Sequence, residues 1–204
     1  TLLAHETLAR IPDGDTYLTA GTFFPFAKRF DIAGALDRLI VEKLLLDLPE
    51  GATATLNLST RSIADPAFDA WLKETLRPPR VQRTRLIVES PELALQVDAE
   101  RTTDLMRSVH NLGYRCSIDH LGTSASTFEH LGQLPLTFAK VDRKYVRSLA
   151  ESSENRLLLA TLVQMATTRN TMVIARRRRD RGGTRSPDGD RHPVWHGLPA
   201  GSAW

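Results

Sequence analysis

Short apolar segments alternate along this chain with longer segments whose apolar residues follow helical spacing. The apolar segments are typical of buried β-strands, and they cover residues 52–58, 85–88, 116–118, 138–141 and 172–175. Helical spacing covers residues 32–46, 66–76, 97–112 and 143–168, and a further helix is expected after Ser126. Strand–helix units of about 30 residues that repeat in this way predict a parallel sheet whose strands are joined by crossover helices.

Three positions are suited to mark helix boundaries. Asp31 is placed to cap the helix that begins at residue 32. Asp65 followed by Pro66 has the pattern of an N-cap and a first-turn proline. Gly113 is a residue type that commonly ends a helix.

A polar residue stands at the end of four successive strands, namely Asn57, Glu89, Asp119 and Lys140. Parallel sheets are either open or closed into a barrel. The open form usually has a glycine-rich first turn at a nucleotide site, and this sequence has no such pattern. In a barrel, the carboxyl ends of the strands converge on the active site. The sequence therefore predicts an α/β fold of the (β/α)8 barrel type.

The chemistry of these four side chains is that of a hard cation site. Two carboxylates and an amide oxygen suit Mg²⁺ or Mn²⁺ better than copper or zinc. A lysine beside them could steady a negative transition state, which suits hydrolysis of a phosphate ester. The same groups would equally permit an enolising lyase on the same barrel.

Composition indicates a soluble, cytoplasmic module. The chain has 204 residues and a single cysteine, Cys116, which excludes an internal disulfide framework and is expected to be buried in its strand. No apolar run approaches the roughly 20 residues that cross a bilayer. We therefore expect no membrane contact by the module itself, although a longer parent protein could carry membrane segments.

Residues 176–204 differ in composition from residues 1–175, and we expect them to form a separate, disordered tail. They hold seven Arg and three Asp, which gives them a net charge of +4. Because the whole chain has a net charge of +3, residues 1–175 have a net charge of −1. The tail could be a basic arm for nucleic acid or an anionic membrane, or a solvated linker. The hypothesis that we favour is a shifted reading frame in GC-rich DNA, and we expect no DNA or RNA partner.

An ordered set of short motifs runs through residues 4–175. They are HETLAR at 5–10, FFPFA at 23–27, ALDR at 35–38, NLS at 57–59, ESPE at 89–92, DHLGT at 119–123 and KVDR at 140–143. This set resembles the ordered motifs of the EAL family of bacterial cyclic di-GMP phosphodiesterase domains, whose signature E-A-L-x-R is similar to HETLAR with Thr7 in place of Ala. Each motif is weak alone, but the ordered set is specific.

The resemblance implies a metal-dependent hydrolase of cyclic di-GMP that uses two Mg²⁺ or Mn²⁺ ions and releases the linear dinucleotide. The metal ligands that it implies are Glu6, Asn57, Glu89 and Asp119. It also implies catalytic roles for Lys140 and for Glu6.

The substrate-binding residues that the resemblance implies are Leu8, Arg10, Pro25 and Asp142. Arg10 corresponds to an arginine that contacts a phosphate of the dinucleotide. Pro25 could shape the wall of the pocket, or it could be a plain turn proline. The expected partners are cyclic di-GMP and, beyond it, a second copy of the chain or other signalling domains.

Two departures from the family pattern put activity in doubt. His120 replaces the second Asp of a pair, and an imidazole supplies no negative charge to hold Mg²⁺. After residue 175 the family continues with a glutamate-containing segment, where this chain has Arg176 and Arg177. We therefore expect an incomplete barrel, without its first and last strands, that aggregates or dimerises to cover open edges.

Three functional hypotheses remain open at this point. The first is a cyclic di-GMP phosphodiesterase that is weak or inactive in this form. The second is a degenerate module that binds cyclic di-GMP or a protein partner without turnover. The third is a decayed fragment with no function.

Overall fold

A computed structural model of the chain describes residues 4–78, 83–122, 127–142 and 152–175. The boundary predicted at residue 175 and the predicted tail over 176–204 lie outside the described residues. The predicted helix over 143–168 is described from Ser153 onwards, where it runs to Thr167. The predicted helix after Ser126 is present as a short helix that begins at Thr127.

Within the described residues, eight strands form two sheets. The strands are β1 (His5–Glu6), β2 (Arg10–Asp13), β3 (Thr16–Thr19), β4 (Ala54–Asn57), β5 (Leu86–Pro91), β6 (Arg115–Leu121), β7 (Phe138–Val141) and β8 (Met172–Ala175). Six of them form one parallel sheet in the order β1–β4–β5–β6–β7–β8. Each strand of this sheet pairs with the strand of the same sheet that follows it in the sequence. The α/β class and the incomplete parallel barrel predicted from the sequence are confirmed.

Helices lie between the strands along the chain, and several of them pack against this sheet. They are α1 (Ala20–Arg29), α2 (Ala33–Asp47), α3 (Thr60–Ile63), α4 (Pro66–Leu76), α5 (Glu92–Val97), α6 (Ala99–Asn111), α7 (Thr127–Leu131) and α8 (Ser153–Thr167), with a 3₁₀ turn at Arg83–Arg85. Parallel neighbours require such crossovers, because the chain must return to the same end of the sheet before each new strand.

Helix α4 begins as its sequence predicts. The side chain of Asp65 accepts a hydrogen bond from the backbone N–H of Ala67, and Pro66 occupies the first turn. Gly113 lies just beyond α6 with a φ of 90°, a left-handed conformation that glycine adopts without steric cost.

Two helix predictions need correction. Asp31 does not cap α2; it has a φ of 55° and forms an ion pair with Arg61, 2.9 Å from Nε to Oδ1. The predicted helix over 97–112 is preceded by a separate helix, α5, because Asp98 adopts an extended conformation. Asp98 then caps α6 by accepting from the N–H of Arg101 at 2.9 Å.

Strands β2 and β3 form an antiparallel hairpin that the sequence analysis did not predict. The hairpin turns at Gly14, which has a φ of 56°, and its residues are mostly exposed. It leads directly into α1, which was also not predicted as a helix and which contains Pro25 in its interior. Pro25 is therefore a helix residue, and the interpretation of it as a turn proline is wrong.

The main core lies between the sheet and helices α4 and α6. Its fully buried members from these helices include Phe68, Leu72 and Leu105, and Cys116 of β6 is buried among them as predicted. The hydroxyl of buried Tyr114 donates to the carbonyl oxygen of Leu76 at 3.0 Å. This hydrogen bond ties the start of β6 to the end of α4.

Substitution of Leu72 by Ala tests this packing. The side chain is fully buried, so its loss should lower the free energy of unfolding by about 2–5 kcal/mol through lost transfer energy and the cavity left behind. Urea denaturation monitored by circular dichroism would measure it. The matched control is Leu46→Ala, because Leu46 is 74% exposed and its truncation should change stability by less than about 0.5 kcal/mol. Equal losses in the two variants would contradict the core as described.

Candidate functional site

The parallel register brings the predicted site residues to one edge of the sheet. Asn57 and Glu89 are directly paired across β4 and β5, and Asp119 pairs with Pro91 at the end of β6. Glu6 of β1 pairs with Thr55, two residues before Asn57. The ends of neighbouring parallel strands thus assemble the predicted residues, as they do in barrel enzymes.

A cavity of about 390 Å³ opens at this edge. Four of the predicted residues line it, namely Glu6, Leu8, Asn57 and Asp119. The remaining lining residues were not predicted as site residues, apart from the discussed His120, and they include Ala20, Phe24 and Lys28 of α1, Ile40 of α2, and Pro91 and Leu93 at the end of β5 and in α5. The cavity therefore has an acidic wall at the strand ends and a helical wall from α1.

Glu89 and Lys140 form a buried ion pair beside the cavity. The Nζ atom of Lys140 donates to Oε2 of Glu89 at 2.5 Å, and the two side chains are 3% and 1% exposed. Burial raises the pKa of Glu89 from 4.5 to about 7; Lys140 opposes this shift, while Asp119 and Glu6 add to it. The ammonium group of Lys140 therefore compensates charge that would otherwise lie unpaired in a dry interior.

His120 lies between two carboxylates at the rim. Its Nδ1 atom is 3.1 Å from Oδ2 of Asp142, and its Nε2 atom is 3.6 Å from Oδ2 of Asp119. The backbone N–H of His120 also donates to Oδ1 of Asp119 at 2.8 Å, and the residue has a φ of 60°. A left-handed conformation in a residue that is not glycine is uncommon, and here the two carboxylate contacts accompany it.

The sequence analysis missed the role of Glu92. This side chain is 1% exposed, and its Oε1 atom accepts from the backbone N–H of Gly122 at 3.1 Å. Gly122 has a φ of 107°, so the loop turns there in a conformation that favours glycine. Glu92 therefore anchors the chain directly beyond β6, next to the part of the strand that carries Asp119 and His120. The sequence signal that could have identified this role is an acidic residue three positions after Glu89, in the first turn of a helix.

The role of Asp37 was missed in the same way. Its Oδ2 atom accepts from the N–H of Ser59 at 2.9 Å and from the hydroxyl of Ser62 at 2.6 Å. Burial raises the pKa of Asp37, and the hydrogen bonds from Ser59 and Ser62 oppose that shift. Because Ser59 follows Asn57 by two residues, Asp37 of α2 fixes the loop at the end of β4.

Arg10 and Pro25 do not line the cavity. Arg10 lies in the exposed hairpin strand β2, and its Nη1 atom donates to the carbonyl oxygen of Ala9 at 3.2 Å. Pro25 is an exposed residue of α1, next to the lining residue Phe24. Asp142 does not line the cavity, and it contacts His120 at the rim.

The carboxylate and amide donors at this edge fit a hard divalent cation, and contacts within the protein engage two of the carboxylates. Across residues 4–78, 83–122, 127–142 and 152–175, no three His, Cys, Asp or Glu side chains lie close enough together to hold a metal ion. Glu89 is occupied by Lys140, and Asp119 is engaged by His120. In the same part of the chain, no helix is long and apolar enough to span a membrane.

Comparison with known proteins identifies relatives over most of the chain. The EAL domain family matches residues 1–177. The RNase E specificity factor CsrD of Escherichia coli K12 is 28% identical over 174 residues, which cover 83% of this chain and 27% of that protein. The cyclic di-GMP phosphodiesterase PdeF of the same organism is 21% identical over 178 residues, which cover 84% of this chain and 24% of that protein. The chain thus spans about a quarter of the length of these relatives.

Two solved structures share the fold. The S helix-GGDEF-EAL portion of Vibrio cholerae LapD bound to c-di-GMP aligns with a TM-score of 0.79 at 18% identity, over 86% of this chain and 44% of that one. The FimX EAL domain of Pseudomonas aeruginosa bound to c-di-GMP aligns with a TM-score of 0.73 at 23% identity, over 83% of this chain and 71% of that one. At these identities, the likeness establishes the architecture.

Glu89→Gln tests the electrostatics of the buried pair. A carboxyl group whose folded-state pKa is raised contributes stability that is complete below its ordinary value of 4.5 and is lost as the pH rises towards about 7. The free energy of unfolding of the wild type, relative to that of Glu89→Gln, should therefore fall over this interval. Urea denaturation at several pH values in EDTA would measure it.

The control for this experiment is Glu100→Gln, because Glu100 is an exposed residue of α6. Its pH dependence should parallel that of the wild type. Parallel curves for the wild type and for Glu89→Gln would show that the pKa of Glu89 is not raised.

Proposed function

The chain belongs to the EAL domain family, and from this premise we propose that it binds cyclic di-GMP in the cavity at the strand ends and hydrolyses it weakly or not at all. The cavity, at about 390 Å³, lies within the usual range for small-molecule sites. Its apolar helical wall suits purine bases, and its acidic strand ends suit phosphodiesters when a cation or a protein donor compensates the carboxylates. The names of PdeF and of the FimX structure support cyclic di-GMP as that ligand.

We assign the roles of the site residues as proposals. Glu6, Asn57, Glu89 and Asp119 are the residues that would hold Mg²⁺ or Mn²⁺. When bound, such an ion supplies a hydroxide nucleophile and neutralises charge on the phosphodiester.

The other assignments concern the substrate itself. Lys140 would stabilise the developing negative charge, with Glu6 as the second catalytic residue. Leu8, which lines the cavity, is the best placed of the proposed substrate-binding residues. Arg10 and Pro25 would require a movement of the hairpin and of α1 to reach the ligand.

The contact geometry of His120 is the observation that carries the proposal of weak hydrolysis. Its ring lies 3.1 Å from Asp142 and 3.6 Å from Asp119, so it occupies the space between two carboxylates. An imidazole there competes with a divalent cation for the carboxylates and contributes no negative charge of its own. The pair between Glu89 and Lys140 acts in the same direction, because it commits a further carboxylate to a protein cation.

A second candidate is a regulator that binds cyclic di-GMP, or a protein, without any turnover. The same engaged carboxylates favour it, and CsrD is a relative whose name describes a specificity factor. For either function, we place the module in the cytoplasm, as a homodimer or beside other signalling domains. The greater length of the relatives and the multidomain LapD structure support this arrangement.

Isothermal titration of the full chain with cyclic di-GMP in Mn²⁺ buffer tests the proposal. Saturable heat without sustained turnover is the expected result. A sustained heat of reaction would contradict the proposal of weak hydrolysis. Absence of heat from a folded sample would contradict ligand binding and leave the decayed-fragment hypothesis.

His120→Asp tests the cause of the weak hydrolysis. The substitution restores a carboxylate beside Asp119, so Mn²⁺-dependent production of the linear dinucleotide should rise on the order of tenfold or more, since metal charge stabilisation is worth several kcal/mol. Chromatography of the reaction products would measure it. The control is His110→Asp in α6, where His110 is exposed and does not line the cavity. An unchanged rate in His120→Asp would show that the defect lies elsewhere.

A further inference from the structure

One ridge of α1 forms a wall of the cavity. Ala20, Phe24 and Lys28 all line it, and their spacing of four residues places them on one face of the helix. Ala20 offers only a methyl group. Phe24 and Lys28 offer an aromatic face and an ammonium group, and neither carries a function in the proposed hydrolysis.

The charge of Lys28 is available to a ligand. Within the described part of the chain, no carboxylate lies within 4.0 Å of its Nζ atom, and the side chain is exposed and lines the cavity. Lys43, by comparison, pairs with Asp47 at 2.6 Å. A lysine that faces a cavity without an ion-pair partner can donate to acceptors of a bound molecule.

The side chains around Lys28 favour a flat, largely apolar group with a polar edge. The ring of Phe24 is held against Phe23 with centroids 5.3 Å apart. Ile40, Leu58 and Leu93 line the same cavity. An aromatic face with apolar neighbours and one charged donor is the combination by which proteins bind single nucleobases.

The acceptor edge of guanine matches the Lys28 ammonium. Guanine presents two acceptors, N7 and O6, on one edge, whereas adenine presents the N6 amino donor beside N7. An ammonium group has three donors and no acceptor, so it gains from the guanine edge and opposes the adenine one. The phosphodiesters of the same ligand would lie towards Asn57 and Asp119 on the opposite wall.

We propose that Lys28 recognises one guanine of the ligand by donating to its N7 and O6 atoms, with the base packed against Phe24. This inference rests on the proposed binding of cyclic di-GMP and adds a residue that selects the base. Lys28 is therefore a specificity-determining residue on a helix that the strand-end motifs do not include.

The test is a double comparison by isothermal titration of the full chain. The variants are wild type and Lys28→Met, and the ligands are cyclic di-GMP and its analogue with both guanines replaced by 7-deazaguanine, which lacks N7 but keeps the phosphates. Loss of a hydrogen bond to a charged donor should raise the Kd of the wild type for the analogue about tenfold. Lys28→Met loses the contacts to both N7 and O6, so it should bind cyclic di-GMP more weakly than the wild type by more than about tenfold and bind both ligands equally.

Two control variants complete the experiment. Arg29→Met removes the same charge from the next residue of α1. The Arg29 guanidinium lies 6.0 Å from the centre of the Phe30 ring and does not line the cavity. The Kd of this variant for cyclic di-GMP should therefore equal that of the wild type. Lys28→Arg keeps a donor suited to guanine and should retain preference for cyclic di-GMP over the analogue. Circular dichroism checks that each variant is folded.

The outcomes separate this proposal from the one on which it rests. Equal weakening of both ligands by Lys28→Met would show a phosphate contact and overturn base recognition, and unchanged affinities would overturn any contact. A wild-type chain that binds neither ligand would overturn the proposed function itself and this assignment with it.

Discussion

Parallel pairing of six strands is the constraint from which the site follows. Each strand starts at the same end of the sheet, so the carboxyl ends meet at one edge, and the register pairs Asn57 with Glu89 there. Functional residues that lie far apart in the sequence become neighbours without any long loop to carry them. A change of register by one residue would turn these side chains to the other face of the sheet, so the pairing of the strands fixes the site and the core together.

A small residue between Glu89 and Lys140 lets these two buried charges meet. Glu89 pairs with Ser117 on β6, and Lys140 belongs to β7 on the far side of that strand. Ser117 is fully buried and short, which leaves room for the lysine to cross β6 and reach the carboxylate. Burial makes this contact necessary, because neither charge has enough access to water to remain unpaired.

The sequence predicted strands β4 to β8 and their functional ends, because both depend on local patterns. It did not predict the two-residue strand β1. Short apolar segments ending in Asn57 or Asp119 identify a strand and a position on its edge. The roles of Glu92 and Asp37 depend on which loop each helix approaches, and that is a property of the assembled fold.

The elements that the sequence analysis missed have the same explanation. The hairpin of β2 and β3 is mostly exposed, so it lacks the apolar alternation of a buried strand. Helix α1 contains Pro25, and a proline in the interior of a segment argues against predicting a helix there. Its buried residues Phe23 and Ala27 nevertheless have the four-residue spacing of one helix face. Phe24 and Lys28 were therefore not recognised as a wall of the cavity.

The contacts among the charged side chains at the cavity edge are consistent with weak metal binding. In a two-metal site, several carboxylates repel an anionic dinucleotide, and the metal ions reverse that repulsion. Here the protein supplies its own compensation, since Lys140 pairs with Glu89 and the His120 ring contacts both Asp119 and Asp142. Each of these contacts lowers the repulsion that a phosphodiester meets on entry, and each one also removes a ligand from a metal. On the proposed function, binding of an anionic ligand and weakened hydrolysis would both follow from these contacts, in which protein groups stand where bound ions would otherwise lie.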